Sequence, residues 1–178
     1  MIIHNTNFKE MTDMWEKIIA FFMSIIAFFA GLFGFDYEQK SDYVFNNLSY
    51  GSHERQVLDL RLPEESDGEV GLILFIHGGA WIGGDKEGYK QGLKTACDEL
   101  GYAAASINYR YLSEDVSLHD IADDIEAAVK LIKEKGAEKG INIDKMLLTG
   151  DSAGALLALF ASSINTSEQL QGDFGIKG

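Results

Sequence analysis

Hydrophobic residues fall along this chain in three spacings, and each predicts a different kind of element. Residues 18–35 form an uncharged stretch broken only by Ser24, Gly31 and Gly34. As a helix it would span about 27 Å at 1.5 Å per residue, close to the thickness of a bilayer's hydrocarbon core. Further on, apolar runs of strand length recur. Tyr43-Val44-Phe45 and the alternating Gln56-Val57-Leu58-Asp59-Leu60-Arg61-Leu62, stopped by Pro63, read as strands. Residues 70–76 and 102–108 are more continuously apolar, as buried central strands are, and residues 141–150 read as the strand that enters the turn at Ser152.

The third spacing is helical. Residues 89–100 read as a helix ending at Gly101. Between Ser117 and Lys135, Ile121, Ile125, Val129 and Ile132 line one face with Ala122 and Ala128, while Asp123, Glu126, Lys130 and Glu134 line the other. Ser117 is the expected N-cap with Asp120 at the capping-box position, and Gly136 is the expected end. From residue 70 the order is therefore strand, helix, strand, helix, strand, helix. That alternation predicts an α/β domain with a mostly parallel sheet, right-handed crossovers and helices on both faces.

Composition and charge narrow the picture. The 178 residues divide into a tail at 1–17, the apolar stretch at 18–35 and one domain at 41–178. The tail is mixed in charge (Lys9, Glu10, Asp13, Glu16, Lys17) and Phe28-Phe29-Ala30 offers no small-x-small cleavage site, so a cleaved signal peptide fits poorly. A membrane anchor is the preferred reading of residues 18–35, and a hydrophobic helix covering a groove is the alternative. Lys17 on one side against Asp36 and Glu38 on the other favours an extracytoplasmic domain over a cytoplasmic one. A formal charge of −13 argues against a nucleic-acid partner. Cys97 is the only cysteine, which excludes an intrachain disulfide and a thiolate cluster, and its helical context makes it a core residue. No group of His, Cys and Asp has ligand spacing, so neither metal nor cofactor is expected.

The chemistry lies in two loops. An apolar run enters Gly150-Asp151-Ser152-Ala153-Gly154 and leaves through Ala155-Leu156-Leu157-Ala158-Leu159-Phe160, which is strand, sharp turn and helix with Ser152 at the apex. Gly150 and Gly154 allow close backbone approach, and the helix N-terminus favours a developing negative charge. Five small residues alone could be a plain strand-to-helix turn. Earlier, a buried strand empties into His77-Gly78-Gly79-Ala80-Trp81-Ile82-Gly83-Gly84-Asp85. Acyl transfer builds negative charge on a carbonyl oxygen, and a glycine loop can bring backbone N–H donors close to it.

With Asn108-Tyr109-Arg110 between these two motifs, residues 41–178 resemble the α/β-hydrolase carboxylesterases of the hormone-sensitive lipase and feruloyl-esterase-like groups. The resemblance implies an α/β-hydrolase fold and a small-molecule ester substrate, such as a carbohydrate acyl ester or a short-chain lipid. It implies Ser152 as nucleophile, with an oxyanion hole from the N–H groups of Gly78, Gly79 and Ala153. His77 would then be structural, Trp81 would pack beside the pocket mouth and Asp151 would point away from the serine. Many relatives carry a third glycine where this chain has Ala80. In this fold an Asp or Glu and then a His follow the serine, whereas here Glu168 and Asp173 follow Ser152 with no histidine. The expectation is an N-terminal fragment that holds nucleophile and oxyanion hole without a triad, the C-terminal part of the fold missing. An amidase, peptidase or arylformamidase on the same framework, or a non-catalytic binding module, are the alternatives.

Overall fold

The computed structural model describes residues 42–64, 66 and 68–166; the apolar stretch at 18–35, together with Glu168 and Asp173, lies outside the described residues. Five strands form one sheet: β1 (Asp42–Ser49), β2 (Val57–Pro63), β3 (Leu72–Ile76), β4 (Ala103–Ile107) and β5 (Met146–Gly150), in the order β1-β2-β4-β3-β5. The helices are α1 (Lys90–Lys94), α2 (Leu118–Glu138) and α3 (Ala153–Thr166). A tight turn at Lys86–Tyr89 leads into α1, and a wider one at Thr95–Glu99 continues it. No helix among the described residues is long and apolar enough to cross a membrane.

The sheet is mixed rather than mostly parallel. β4, β3 and β5 run parallel, but β1 pairs antiparallel with β2, and β2 antiparallel with β4. The reason is connection length. Parallel neighbours need a crossover long enough to hold a helix, which the segments after β3 and β4 provide; residues 50–56 between β1 and β2 form only a hairpin.

Strand alternation distributes the core. Leu58, Leu60 and Leu62 of β2, Leu72, Leu74 and Ile76 of β3, and Ala103, Ala105 and Ile107 of β4 point to one face, where Ile121, Ile125, Ala128 and Ile132 of α2 and Leu157 and Ala158 of α3 cover them. Ile73, Phe75 and Ala104 point to the other, under Leu93, Ala96 and the buried Cys97. The small residues of β4 matter here, because alanine side chains let α1 and α2 sit close to the sheet's middle.

α2 carries the expected capping box, with the Ser117 side chain accepting from Asp120 N–H and the Asp120 carboxylate accepting from Ser117 N–H at 2.8 Å. Its end differs from expectation. The helix runs on through Gly136, which is buried against Ile143, and stops at Glu138. Gly140 takes the left-handed conformation (φ 76°), with Ile141 N–H bonded to Gly136 O and Gly140 N–H to Ala137 O. This is a Schellman cap, so the later glycine ends the helix while the earlier one packs.

Candidate active site

β3 and β5 lie side by side, so both loops expected to carry chemistry leave the same end of the sheet. Their relation is set by backbone contact. A Cβ on Gly150 would stand 2.1 Å from the Ile76 carbonyl oxygen, and one on Gly154 would stand 2.0 Å from the same atom and 2.7 Å from His77 O. Only glycine fits at either place. Ser152 sits between them, exposed and in the left-handed region at φ 48°. That conformation costs a non-glycine residue on the order of 1–2 kcal/mol and persists because both flanking glycines are pinned. Ala153 and Gly154 are buried at the start of α3, where Ser152 O accepts from Ala155 N–H at 3.1 Å.

The glycine loop reaches the turn through Gly78, whose N–H donates to Asp151 Oδ1 at 3.0 Å. Gly78 is therefore not an uncommitted oxyanion donor, contrary to the sequence expectation. The N–H groups of Gly79 and Ala153 have no acceptor among the described residues. Asp151 also accepts from the Tyr89 hydroxyl at 2.5 Å. That bond, with the one from Gly78, holds its carboxyl below the usual range, while burial and the same carboxylate push the Tyr89 phenol up to about 12. The loop itself turns through Gly79 (φ 113°), Ala80 (φ 51°) and Trp81 (φ 64°). Ala80 thus takes a conformation that glycine would hold more cheaply. Trp81 is half-buried against the larger core cluster, and its carbonyl accepts from Leu112 N–H at 2.9 Å.

His77 is buried and stacked on Tyr109, with ring centroids 4.3 Å apart. Arg55 Nη2 lies 3.2 Å from its Nε2 and can only donate, so Nδ1 carries the proton and donates to Gly78 O at 2.7 Å. Burial first, and then the Arg55 charge, push its pKa below the ordinary histidine value. Both ring nitrogens are engaged by Arg55 and the Gly78 carbonyl. Among the other described histidines, His53 Nδ1 accepts from Arg55 N–H at 3.1 Å, and His119 Nδ1 lies 3.4 Å from Asp123.

A second ring of polar contacts braces the loop from behind. Arg55 donates to Tyr109 O at 3.0 Å and to Gly84 O at 3.1 Å, and stacks on Tyr111, whose hydroxyl also reaches Gly84 O at 2.7 Å. Asn108 donates to Asp85 and accepts from Lys86 N–H. Burial disfavours the charged Asp85, but the bonds from Glu87 N–H and Asn108 outweigh it and hold its carboxyl low. The buried Lys86 ammonium meets the buried Asp59 at 2.8 Å. Arg110 forks onto the buried Asp124 of α2. Of these residues, Arg55, Asn108, Arg110 and Tyr111 line an open cavity of about 480 Å³ with His53 and Ser113. Ser152 is not among its lining residues. The described residues hold no group of three or more His, Cys, Asp and Glu able to bind a metal.

Residues 58–177 match the BD-FAE family. The chain belongs to it. Relatives include a protein of Arabidopsis thaliana named a probable isoprenylcysteine alpha-carbonyl methylesterase, 35% identical over 66% of this chain and 24% of its own length. Another, from Mycobacterium tuberculosis and named a probable carboxylic ester hydrolase, is 31% identical over 78% of this chain and 32% of its own. Esterase B of Lactobacillus rhamnosis, solved with a tributyrin phosphonate inhibitor, superposes with a TM-score of 0.64 at 28% identity, covering 91% of this chain and 54% of that one. The chain thus spans a quarter to a third of the length of these two curated relatives.

Sequence reading passed over Arg55, just before the BD-FAE match, and Asp59, Lys86, Tyr89 and Asp124 within it. Asp124 had a usable signal: it lies three residues after Ile121 and four before Ala128, a carboxylate on the apolar face of a helix that needs a buried partner. Arg55, Lys86 and Tyr89 had none, because their partners come from other elements.

Two outcomes follow. Gly154→Ala should lower stability by at least about 1–3 kcal/mol in urea unfolding, since backbone rather than side chain must move. Gly83→Ala, whose Cβ would meet Gly79 O at an ordinary 3.6 Å, should change it little; equal effects would refute the close-approach argument. Because folding lowers the His77 pKa, the unfolded chain binds more protons below about 6.5. Stability should therefore fall as pH drops through that value, and a His77→Gln variant should show a flatter dependence.

Proposed function

We propose that the protein is a serine-dependent carboxylic ester hydrolase that works through an acyl-enzyme on Ser152. The observation that carries this is an exposed serine on a left-handed turn between two pinned glycines, with a glycine loop bonded to the same turn. Ser152 Oγ attacks the ester carbonyl, and the carbonyl π electrons move onto oxygen. The free N–H groups of Gly79 and Ala153 are the donors for that oxyanion, aided by the N-terminus of α3. Collapse of the intermediate expels the alcohol, which takes the proton that the base removed from Ser152. Water then attacks the acyl group by the same route in reverse roles. The base and its orienting acid are not among the described residues; on this reading they belong to the part of the fold that the relatives have and this chain does not span.

The substrate is a small or medium ester. The neighbour inhibited by a tributyrin phosphonate supports a short-chain acyl group, and a neighbouring carbohydrate esterase from gut microbiota, 27% identical with a TM-score of 0.58, supports an acylated sugar. An amide substrate on the same framework is the competing reading, and relative rates on matched p-nitrophenyl ester and anilide separate the two. We also propose that residues 18–35 anchor the protein in a membrane with the hydrolase domain outside the cytoplasm, on the strength of their length and lack of charge.

In protein that carries the base and its orienting acid as well, a fluorophosphonate should label Ser152 and leave Ser152→Ala unlabelled, read by mass of the modified peptide. Equal labelling of the two, or none of the wild type, would sink the acyl-enzyme reading and favour a binding module. The anchor is checked separately: the whole chain should stay with membranes in carbonate, and full release would instead favour a helix lying on the domain.

A further inference from the structure

Asp151 stands next to the nucleophile and takes no part in the chemistry above, yet it is the side chain that joins the two halves of the site. Its Oδ1 accepts from Gly78 N–H at 3.0 Å and from the Tyr89 hydroxyl at 2.5 Å. An exposed carboxylate needs neither bond, because water would satisfy it. What the bonds do is mechanical. Gly78 belongs to the loop after β3, and Asp151 belongs to the turn after β5. A Cβ on Gly78 would lie 2.4 Å from Asp151 Oδ2 and 2.8 Å from Asp151 O, so the carboxylate rests on bare backbone. Tyr89 completes a tripod. It stacks on Phe75 of β3 with centroids 5.1 Å apart, and its hydroxyl also lies 3.4 Å from Ile76 O. One end of the strut is therefore set in the core beneath α1.

We propose that Asp151, held by Tyr89, is a positioning residue that fixes the glycine loop against the nucleophile turn. It draws Gly78 N–H out of the oxyanion site and so leaves the next loop N–H, that of Gly79, to face the substrate together with Ala153. This rests on the esterase reading. The acceptor geometry is what matters, since an amide oxygen at the same place could receive both bonds.

The test uses the whole protein, base and orienting acid included, as wild type, Asp151→Ala, Asp151→Asn and Tyr89→Phe, with two readouts. One is hydrogen exchange at the Gly78 amide. The other is the rate of Ser152 labelling by a short-chain p-nitrophenyl phosphonate, resolved into a limiting rate and a half-saturating concentration. Asp151→Ala should speed Gly78 exchange about tenfold or more and cut the limiting labelling rate on the order of 10–100-fold with little change in half-saturation. Asp151→Asn should restore most of both, and Tyr89→Phe should fall between. A general loss of folding would strike Asn and Ala alike, so rescue by Asn identifies positioning. Unchanged Gly78 exchange in Asp151→Ala would show that the bond is not made. Faster exchange with an unchanged labelling rate would show that the bond positions nothing. No labelling of the wild type overturns the esterase reading and the catalytic use of the strut with it, while exchange still reports whether the bond exists.

Discussion

Two glycines that lie against one carbonyl oxygen govern this domain's functional end. Gly150 and Gly154 both approach Ile76 O more closely than any Cβ permits. The turn after β5 is thereby held to the end of β3 rather than merely beside it. Every later feature inherits that contact: the start of α3, the left-handed Ser152 and the distance from the turn to the loop that begins at His77. A strained serine is stable only where its neighbours leave it no alternative, and here one backbone oxygen constrains both sides.

The glycine loop presents the opposite problem. It is rich in glycine and has little apolar surface to bury, so hydrophobic packing cannot hold it. The structure solves this with polar contacts from several directions. Arg55 reaches it from the hairpin, Tyr109 and Asn108 from the end of β4, and Asp151 and Tyr89 from the side of Ser152. The Lys86–Asp59 pair lies under the loop's exit, with both groups buried. Such a pair loses hydration on burial and adds little net stability, but a displaced partner would leave a lone buried charge, which penalises other loop positions. These contacts make other positions of the loop costly.

This division recurs across the domain. The two apolar clusters on either face of the sheet hold β2, β3 and β4 and the helices, and they use ordinary alternation and helical stripes. The buried polar groups gather instead at the sheet's carboxyl end and around Asp124, where loops rather than helices must be placed. Cooperative core packing makes the platform, and hydrogen-bond geometry places the chemistry on it. Small errors in the first cost stability; small errors in the second move Ser152 relative to the N–H groups of Gly79 and Ala153.

Local pattern was enough for the elements, since period-two and helical spacing identified the strands, α2 with its cap, and the strand–turn–helix at Ser152. It was also enough for the two motifs whose pairing marks the family. Each of these is written in consecutive residues whose backbone preferences are local. Sequence reading went astray where two distant segments had to meet. The antiparallel half of the sheet depends on which neighbours pair, and the end of α2 depends on Gly136 being buried against Ile143. Whether Gly78 N–H is free depends on a carboxylate 73 positions later. The amino-acid sequence by itself determined which residues could form the strand–turn–helix at Ser152 and the glycine loop. Only the tertiary structure decided which of their donors are free, because a hydrogen bond is a property of two groups in space, and spacing along the chain specifies only one of them.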